Sequence, residues 1–391
     1  MKIGIVGKPN VGKSSFFKAS TLTEVEIADY PFTTIKANVG ISYVKVKCAC
    51  QNFGVKCSPV HGFCLRGFRF VPVELIDVAG LVPGAHEGKG LGNKFLDDLR
   101  QADLLVHVID ASGSTDEKGE RVEKGSHDPL LDVKFLEREL GMWVFQILKR
   151  QWHKTKRNEK AEKILAEMLS GLKVREGEIE KVLEEMQFDK KLWCCREAEI
   201  QRFALNLLRE SKPVLIAANK CDLVEKSEME ELKKRVEKTG YPLVPCSAVA
   251  EIALKSAAKN GLISYIPGEK NFEILRELSP EQEKALEYIR KNVLEKFGTT
   301  GVQDVLDKAV FEILNYIAVF PVGEKLSDAK GNVLPDCFLL PSGSTALDLA
   351  YRIHEDFGKN FIRAIDVKNK KIVGRDYVLR HGDVIQIIAR T

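Results

Sequence analysis

The apolar residues of this chain are arranged in two ways, as short continuous runs and as longer stretches with helical spacing. The runs at residues 3–6, 70–76 and 214–218 predict buried strands, because short apolar runs between turn residues are typical of strands covered on both faces. A glycine-rich turn follows the first run, and residues 14–20 then have the spacing of a helix. The chain therefore opens with a strand, a turn and a helix.

Helical spacing dominates the middle of the chain. Between residues 121 and 211 the sequence is rich in Glu, Lys, Arg and Leu, and its apolar residues recur at three- and four-residue intervals. This pattern predicts a helical insertion arranged as an antiparallel hairpin. A basic run toward its tip is open to two interpretations, a surface that meets phosphate backbones and an ordinary solvated helix face. The run comprises Lys149, Arg150, His153, Lys154, Lys156, Arg157 and Lys160.

The C-terminal part changes from helical to strand-like spacing. Residues 281–296 and 302–317 predict helices, and the second is expected to close the preceding domain against its sheet. Beyond residue 319, short strands surround one predicted helix at residues 346–357, which Ser344 or Thr345 would cap. These strands are predicted at residues 337–340, 362–367 and 384–388.

Composition limits the class of protein. At 391 residues the chain is longer than one ordinary domain, and 44% hydrophobic residues are enough to form buried cores. No run of about eighteen apolar residues predicts a membrane span, and Met1 leads directly into a predicted strand without room for a signal peptide. A cytoplasmic protein with no membrane partner is therefore expected. The net charge of +4 permits contact with nucleic acid but does not require it.

The turn after the first strand carries the strongest chemical signal. Residues 7–14 read Gly-Lys-Pro-Asn-Val-Gly-Lys-Ser, and a complete G-x-x-x-x-G-K-S between a strand and a helix predicts a phosphate-binding loop. Its glycines let backbone N–H groups point at phosphate oxygens, aided by the helix dipole. Lys13 would reach the β and γ phosphates, and Ser14 would bind Mg²⁺. The predicted nucleotide contacts are Gly7, Pro9, Asn10, Val11, Gly12, Lys13, Ser14 and Ser15.

A triphosphate site also needs a carboxylate near the metal and a backbone N–H group near the γ phosphate. Asp77 directly follows the apolar run at residues 70–76, and the C-terminal end of a strand would bring it beside the magnesium. Gly80 follows three residues later and would supply the N–H group. An isolated Asp at a strand end is usually a turn residue, so this prediction depends on the phosphate-binding loop.

The run at residues 214–218 leads into a base-recognition motif, Asn219-Lys220-Cys221-Asp222. The carboxylate of Asp222 can accept hydrogen bonds from both N1–H and the N2 amine of guanine, whereas adenine presents an acceptor at N1 and would leave the charge unpaired. A site built on such bonds can reject the wrong partner by a factor of about 10⁴ to 10⁵. The predicted nucleotide is therefore GTP.

A second segment fits the same base. Ser247 and Ala248 follow a short predicted strand at residues 242–244, in the order of a loop whose backbone amides contact the guanine carbonyl. The Ser-Ala pair by itself does not predict a base-binding loop. Together with the preceding motif, it predicts base contacts from Asn219, Lys220, Asp222, Ser247 and Ala248.

Four cysteines crowd into the segment between two predicted strands. Cys48, Cys50, Cys57 and Cys64 have the spacing C-x-C-x₆-C-x₆-C, and the first two are expected to share one face of a strand. In a reducing cytoplasm such clustering favours a metal over disulfides, but the spacing lacks the paired C-x₂-C knuckles of a zinc ribbon. Structural Zn²⁺, disulfides in a thermophilic cell and free thiols remain open. Packing roles are predicted for Cys194, Cys195, Cys221, Cys246 and Cys337.

These motifs together resemble those of the Obg superfamily of P-loop GTPases, and within it the YchF branch. Residues 30–34 are similar to the family's switch I, residues 77–85 and 88–92 to its switch II, and residues 298–303 to a further family motif. Residues 341–345 and 380–383 resemble the TGS domain. The resemblance implies an α/β fold, a doubly wound and mostly parallel sheet, with a helical, coiled-coil-like insertion and a C-terminal β-grasp (TGS) domain.

The resemblance also implies a division of the chain into domains. The G domain would comprise residues 1–120 and 212–317, with a Cys-rich hairpin insertion at residues 47–68. The helical insertion would occupy residues 121–211, and the TGS domain residues 318–391.

For catalysis, the resemblance makes Thr34, in preference to Thr33, the switch I residue of the Mg²⁺ shell, so that the residues of hydrolysis would be Lys13, Thr34 and Gly80. Leu81 stands where Ras-like GTPases carry a water-orienting glutamine, and its alkyl side chain cannot orient water. Slow hydrolysis is therefore expected without a partner, near or below the Ras-like intrinsic range of about 10⁻⁴ to 10⁻² per second. An activating protein, a rearranged switch or K⁺ held by Asn10 would complete the site, although Asn10 is equally suited to stabilising the turn.

The function that the resemblance implies is a GTP/GDP switch on the ribosome or another RNA assembly. Two alternatives stay open. One is a nucleotide-dependent scaffold that binds a protein and hardly turns over. The other is an ATP-preferring enzyme, because some YchF relatives with an altered base motif prefer ATP; the intact Asn219, Lys220 and Asp222 favour GTP here.

Overall fold

The computed structural model of the protein describes residues 1–22, 38–78, 98–152, 161–172, 174–187, 196–328 and 330–390. The strands are β1 Lys2–Val6, β2 Val39–Lys47, β3 Phe63–Leu65, β4 Phe68–Asp77, β5 Leu104–Asp110, β6 Val214–Asn219, β7 Leu243–Pro245, β8 Ile263–Tyr265, β9 Phe272–Ile274, β10 Tyr316–Val322, β11 Phe338–Pro341, β12 Phe361–Asp366, β13 Lys371–Val373 and β14 Val384–Ala389.

The α-helices alternate with the strands in the first part of the chain and fill most of its middle. They are α1 Lys13–Thr21, α2 Cys50–Phe53, α3 Pro129–Gln151, α4 Ala161–Met168, α5 Glu176–Glu185, α6 Glu197–Ser211, α7 Lys226–Glu237, α8 Ala248–Lys259, α9 Pro280–Ile289, α10 Glu295–Phe297, α11 Val302–Asp307, α12 Ala346–Ile353 and α13 Glu355–Lys359.

A seven-stranded sheet forms the larger part of the fold, in the order β2-β4-β1-β5-β6-β7, with β3 paired to β4. The strands from β4 to β7 in this order are parallel, and β2 and β3 run antiparallel to β4. Because parallel strands end at one edge of a sheet, the turns after β1, β4, β5 and β6 meet there. The predicted α/β architecture with a mostly parallel sheet is confirmed.

Alternate residues of the central strands enter two separate hydrophobic cores, as expected for a sheet covered on both faces. Val6, Ile109 and Ile216 belong to one core, which contains residues of α3, α6 and α7. Ile5, Val108 and Leu215 belong to the other, with residues of α1, α8 and α11. The second core continues into the C-terminal part of the chain through Ala318, Phe320, Leu334 and Cys337.

Helices α3 and α6 are the main described elements of the helical insertion. Glu137 near the start of α3 pairs with Arg209 near the end of α6, and Lys149 near the end of α3 pairs with Glu197 at the start of α6. The two helices are therefore antiparallel, as the spacing predicts. Lys149 and Arg150 lie in the last turn of α3, whereas the rest of the basic run, residues 153–160, lies outside the described residues.

The predicted helix at residues 302–317 is too long at its C-terminal end. Helix α11 continues through a π-helical stretch, Lys308–Ile313, and Asn315 then takes a left-handed conformation with φ of 53° before β10 begins. The residues of β10 are mostly β-branched or aromatic, which favours a strand, but only one polar residue, Asn315, separates their apolar run from the apolar residues that precede it. This strand and the short β13 were not predicted.

The C-terminal sheet has five strands in the order β11-β10-β14-β12-β13. The helix predicted at residues 346–357 is divided at His354, which is extended, with φ of −162°. Its Nδ1 accepts a hydrogen bond from Asp356 N at 3.2 Å, so that it caps the second helix, α13. Thr345 caps α12, accepting a hydrogen bond from Asp348 N at 3.3 Å.

The cysteine-rich segment also departs from the prediction. Strand β2 ends at Lys47, and Cys48 is in the turn that leads to Cys50, the first residue of α2. Cys48 and Cys50 therefore do not share a strand face. Cys221, Cys246 and Cys337 are buried as predicted, and Cys194 and Cys195 lie outside the described residues. Among the described helices, none is both long and apolar enough to cross a membrane.

Candidate nucleotide-binding site

The loop from Gly7 to Ser14 has the backbone that its glycines permit. Gly12 is left-handed with φ of 93°, and a Cβ there would lie 2.2 Å from Asn219 Nδ2. A Cβ on Gly7 would lie 2.6 Å from the backbone oxygen of Val108. Both positions are thus restricted to glycine by close approach as well as by conformation. Helix α1 begins at Lys13, so its N-terminal N–H groups face the edge where the parallel strands end.

Lys13 already contacts the carboxylate that the sequence assigns to the metal. Its Nζ donates to Asp77 Oδ1 at 2.7 Å and to the backbone oxygen of Val78 at 2.6 Å. The parallel register that pairs Ile5 with Asp77 aligns the end of β4 with the start of the loop. The structure thus brings the ammonium and the carboxylate of the predicted triphosphate site together.

Asn219 joins three segments that are far apart in sequence. Its Nδ2 donates to the backbone oxygen of Val11 at 2.9 Å, and its Oδ1 accepts from Ala248 N at 3.0 Å. The side chain is 3% exposed, so these bonds are shielded from water. The phosphate-binding loop, the end of β6 and the start of α8 are therefore held in one arrangement.

The carboxylate predicted to recognise the base lies next to the predicted amide loop. Asp222 Oδ1 accepts a hydrogen bond from Ser247 Oγ at 2.7 Å. Ser247 is also the N-cap of α8, where its Oγ accepts from Ala250 N at 3.3 Å. One hydroxyl group therefore orients the carboxylate and caps the N-terminus of α8, and Ala248 N donates to Asn219 Oδ1.

Lys220 is held by an acidic centre that sequence reasoning missed. It has a left-handed backbone with φ of 63°, and its Nζ donates to Asp110 Oδ2 at 2.7 Å. Burial raises the pKa of Asp110, but hydrogen bonds from Lys220, Ser112 and Thr115 outweigh burial and hold this pKa below its usual value. Asp110 is therefore an ionised anchor for Lys220. Its only sequence signal was its place at the end of an apolar run.

Known proteins share this arrangement of segments. Residues 2–134 match the family described as 50S ribosome-binding GTPase, residues 217–324 the Obg-like GTPase YGR210-like, G4 motif-containing domain, and residues 318–389 the TGS domain. An uncharacterized GTP-binding protein of Methanocaldococcus jannaschii is 48% identical over 99% of this chain and 98% of its own. A Bacillus subtilis protein named ribosome-binding ATPase YchF is 30% identical over 98% of this chain and 97% of its own.

The chain belongs to the YchF family of Obg-like P-loop GTPases. Among solved structures, the GTP binding protein from Pyrococcus horikoshii OT3 is similar over 100% of both chains, with 37% identity and a TM-score of 0.79. The YchF GTPase of Schizosaccharomyces pombe covers 99% of this chain and 97% of its own at 23% identity, and its TM-score of 0.60 shows a shared fold.

In this YchF-family protein, the segment between β5 and α3 packs against the phosphate-binding loop. Asn10 is left-handed with φ of 62°, and its Nδ2 donates to the backbone oxygen of Gly119 at 2.8 Å. A Cβ on Gly119 would lie 2.8 Å from Pro9 Cβ, so glycine is needed there as well. Asn10 therefore ties the phosphate-binding loop to this segment, and K⁺ binding by Asn10 stays a prediction.

Lys8 also binds the segment between β5 and α3. Its Nζ donates to Asp132 Oδ1 and to the backbone oxygen of Thr115, both at 2.8 Å, and Asp132 Oδ1 also contacts His127 Nε2 at 2.8 Å. The Lys8 and Asp132 side chains are 5% and 6% exposed, so this is a buried ion pair. Lys8 occupies a variable position of the phosphate-loop motif, which is why sequence reasoning gave it no role.

The family motif at residues 298–303 packs against the segment that contains Ser247. The backbone oxygen of Thr300 accepts from Ser247 N at 2.8 Å, and the Thr300 hydroxyl donates to Glu251, which also accepts from Tyr265 OH. A Cβ on Gly301 would lie 1.9 Å from the backbone oxygen of Pro245. The motif thus positions Ser247 rather than touching the nucleotide-side carboxylate itself.

Some predicted site residues lie outside the described residues. These are Thr34 with the rest of switch I, and Gly80 and Leu81 with the later part of switch II. Ser14 and Ser15 lie in the first turn of α1, directly after the loop. The structure therefore brings together the phosphate-loop residues, Asp77, the base motif and the Ser247–Ala248 segment.

Proposed function

We propose that this YchF-family protein binds GTP with Mg²⁺, hydrolyses it slowly to GDP and phosphate, and acts as a nucleotide-dependent cytoplasmic switch on the ribosome or another RNA assembly. The observation that supports this most directly is the hydrogen bonding of Asn219, which joins the phosphate-binding loop to both base-contacting segments. A site with these segments already together has less ordering cost to meet when nucleotide binds.

Nucleotide binding would exchange the partners of Lys13. The Lys13 ammonium, now on Asp77 and Val78, would turn to the β and γ phosphates, and Asp77 would face the cation held with Ser14 and Thr34. The N–H group of Gly80 would face the γ phosphate. Carboxylate, hydroxyl and phosphate oxygens suit Mg²⁺. Affinity for labelled GTP should therefore fall when Mg²⁺ is withdrawn, and equal affinity with and without Mg²⁺ would contradict the assignment.

The choice of GTP over ATP rests on the Asp222 carboxylate. Ser247 Oγ donates a hydrogen bond to one of its oxygens, which restricts the orientation of the group. Guanine can donate two hydrogen bonds to such a carboxylate, and adenine cannot. The ATPase name of the Bacillus subtilis relative makes ATP preference the direct rival. Competition of unlabelled ATP and GTP against a labelled guanine nucleotide separates the two.

Slow turnover is proposed from Leu81, which offers no group to orient water. We expect about 10⁻⁴ to 10⁻² turnovers per second for the protein alone. Phosphate release under single-turnover conditions, in Na⁺ and in K⁺, measures this rate and the proposed K⁺ effect together. Unaided turnover near 1 per second, comparable to a GTPase with its activator, would contradict the proposal.

The ribosome is proposed as the client because the Bacillus subtilis relative is named ribosome-binding. Lys149 and Arg150, at the end of α3, begin the basic run that would meet RNA phosphates. Cosedimentation with ribosomes should need a slowly hydrolysed GTP analogue and should weaken steeply with salt. Charge reversal of Lys149 and Arg150 should weaken it further, while the same change at the exposed Lys233 and Lys238 serves as the control.

A nucleotide-dependent protein scaffold is the second candidate. An open cavity of about 450 Å³ adjoins Asp222 and Ser247, with Tyr288 and the largely exposed Val249 among its lining residues. Apolar surface beside a nucleotide site suits a protein partner whose binding follows the nucleotide state. Stoichiometric, GTP-stabilised capture of one protein without RNA would favour this function, and capture of ribosomal RNA would favour the first.

We also propose that the chain is divided into three domains. The separate five-stranded sheet and the match of residues 318–389 to the TGS domain support a C-terminal domain at 318–391, although β10 begins at Tyr316. The G domain would then be residues 1–120 and 212–317, including the hairpin at 47–68, and the insertion residues 121–211. Limited proteolysis, followed by mass analysis of the fragments, tests these boundaries.

A further inference from the structure

The cysteine-rich hairpin brings four sulfur atoms together. The Sγ atoms of Cys48, Cys50, Cys57 and Cys64 all lie within 4.8 Å of one another. Two of the distances are 3.8 Å, from Cys48 to Cys57, and 3.9 Å, from Cys50 to Cys64. The four residues come from a turn, a short helix, a loop and strand β3, so a folded hairpin is needed to assemble them.

The spacing of these sulfur atoms fits a tetrahedral metal site. Sulfur atoms at the corners of a tetrahedron, each about 2.3 Å from a central Zn²⁺, are about 3.8 Å apart. Two disulfides would instead draw the atoms into two pairs with bonds of about 2.05 Å. Four cysteines in one compact group are the donor set that proteins use for Zn²⁺ or for iron.

A buried cation beside the cluster is an independent observation. Arg69 pairs with Cys64 across β3 and β4 and is fully buried. Its Nη2 donates to the backbone oxygen of Leu334 at 2.6 Å, whereas no hydrogen bond to Nε or Nη1 is found among the described residues. The thiols of Cys48, Cys57 and Cys337 lie beside this guanidinium, and its carbon atom is 5.6 Å from the centre of the Phe320 ring. A buried guanidinium without a counter-charge is strongly unfavourable.

A tetrathiolate around a divalent cation would supply that counter-charge. Four thiolates and one Zn²⁺ carry a net charge of two minus, and Arg69 stands beside them. We propose that Cys48, Cys50, Cys57 and Cys64 bind one structural Zn²⁺, with Arg69 as the positioning residue that offsets the charge of the site. Each ligand that is still a thiol releases its proton to solvent on binding, up to four in all, and no electron is transferred.

The metal site would fasten the hairpin to the segment between β10 and β11. Cys57 belongs to the loop in which Ser58 N donates to the backbone oxygen of Val333 at 2.8 Å, and Val60 N to that of Pro335 at 2.9 Å. His61 Nδ1 contacts Asp336 Oδ1 at 2.7 Å. Because this loop has little regular structure of its own, a metal bond at Cys57 would keep these donors in place.

Metal analysis of the untagged wild-type protein, purified without chelator, is the first test. We expect about one zinc per chain, proton release on metal binding, and, after exchange for Co²⁺, the visible and near-ultraviolet absorption of tetrahedral thiolate ligation. Iron as the bound metal would overturn the zinc assignment. A metal-free protein with four alkylatable thiols, or one lighter by the hydrogens of two disulfides, would overturn the site.

Single serine variants identify the ligands. C50S and C64S should each lose zinc and the cobalt spectrum, whereas C337S should keep both. Cys337 is the matched control, because it is a buried thiol near Arg69 that lies outside the group of four. Equal loss of metal in all three variants would overturn the assignment. If a ligand variant fails to fold, the wild-type cobalt spectrum still decides.

Arg69 and the loop provide a second readout. We expect R69Q to lower zinc affinity about 10- to 100-fold in competition with a chromophoric chelator, and R69K to recover part of the loss because the charge returns. Removing the metal from the wild type should accelerate hydrogen exchange at Ser58 and Val60 but not at Ile5 in the central sheet. Unchanged exchange at Ser58 and Val60 would overturn the fastening role.

Discussion

Two regions of this molecule join distant segments of the chain, and they do so by different means. At the nucleotide site, Asn219, Asp110 and Lys8 connect loops through buried hydrogen bonds and ion pairs between protein groups. At the cysteine-rich hairpin, four sulfur atoms lie close together beside Arg69, two of whose nitrogens have no hydrogen-bonding partner among the described residues. The first region is held together by contacts between protein groups, whereas we propose that a bound ion holds the second.

The difference leads to opposite expectations for perturbation. Where polar groups satisfy one another, removing one partner leaves the other buried and unpaired, so the whole G domain should lose stability. Where a metal is the common partner, its removal should loosen only what the metal holds.

The largest effect is expected at Lys8. Replacing Lys8 with Met leaves Asp132 buried beside His127 without its main cation, and breaking a buried ion pair typically costs about 3 to 5 kcal/mol. Chemical denaturation measures the free energy of unfolding. Lys124→Met is the control, because the exposed pair of Lys124 with Glu228, at 3.8 Å, should contribute about 1 kcal/mol or less. Equal effects in both variants would break the contrast.

The second-largest effect is expected at Asn219. Asn219→Ala leaves the backbone oxygen of Val11 and Ala248 N without their partner, at a cost of about 2 to 4 kcal/mol in the free energy of unfolding. The substitution also removes the link between the phosphate-binding loop and the Ser247–Ala248 segment, so GTP affinity should fall too. The exposed Asn260, at the end of α8, provides the matched Asn→Ala control. A stable Asn219→Ala variant with normal GTP affinity would show that the bridge is not needed.

A smaller effect is expected from His107 in β5, and it depends on pH. Burial, with help from Lys8, lowers the pKa of His107 to about 3, against about 6.5 in an unfolded chain. A lowered pKa gives stability that is present above pH 6.5 and is lost as the pH falls toward 3. On going from pH 7.5 to pH 5, the free energy of unfolding of the wild type should therefore fall by about 2 kcal/mol more than that of His107→Leu.

Denaturation curves of the wild type and of His107→Leu at these two pH values measure the difference. The variant's own change in stability cancels, because each protein is compared with itself. Parallel loss of stability in the two proteins would contradict the assignment of a neutral, buried imidazole.

The smallest effect is expected at the nucleotide site when zinc is removed. The hairpin and the phosphate loop share the sheet but no described hydrogen bond, so GTP affinity of C50S in the presence of Mg²⁺ should change less than about threefold, or 0.7 kcal/mol. Fluorescent nucleotide titration measures this. A tenfold loss would break the comparison by showing that both regions depend on the metal.

Much of the fold could be predicted from local pattern, because the relevant signals are local. The strand before Gly7 and the helix after Ser14 follow from an apolar run and a glycine-rich turn. Strand β10 was missed because its apolar residues continue the preceding helical spacing. Cys48 and Cys50 were misplaced on a strand because a turn after Lys47 has no strong sequence mark.

The site was predictable where motifs carry the chemistry and not where partners lie far away in sequence. Lys13, Asp77, Asp222 and Ser247 were found in this way. The partners Asp110 and Asp132 could not be found, because ordinary acidic residues become anchors only when the sheet brings them to Lys220 and Lys8. Burial of Arg69 is equally invisible to sequence, since it depends on the C-terminal sheet.

Base selection by Asp222 is the central claim, and competition binding tests it most directly. Unlabelled GTP, ATP and xanthosine triphosphate would be titrated against labelled GDP on the wild type and on Asp222→Asn. We predict that the wild type prefers GTP over ATP by a factor of 10³ or more. The variant should lose this preference and gain affinity for xanthosine triphosphate, whose base accepts at C2 the hydrogen bond that an amide donates. A wild-type preference for ATP, or an unchanged preference in the variant, would contradict the account.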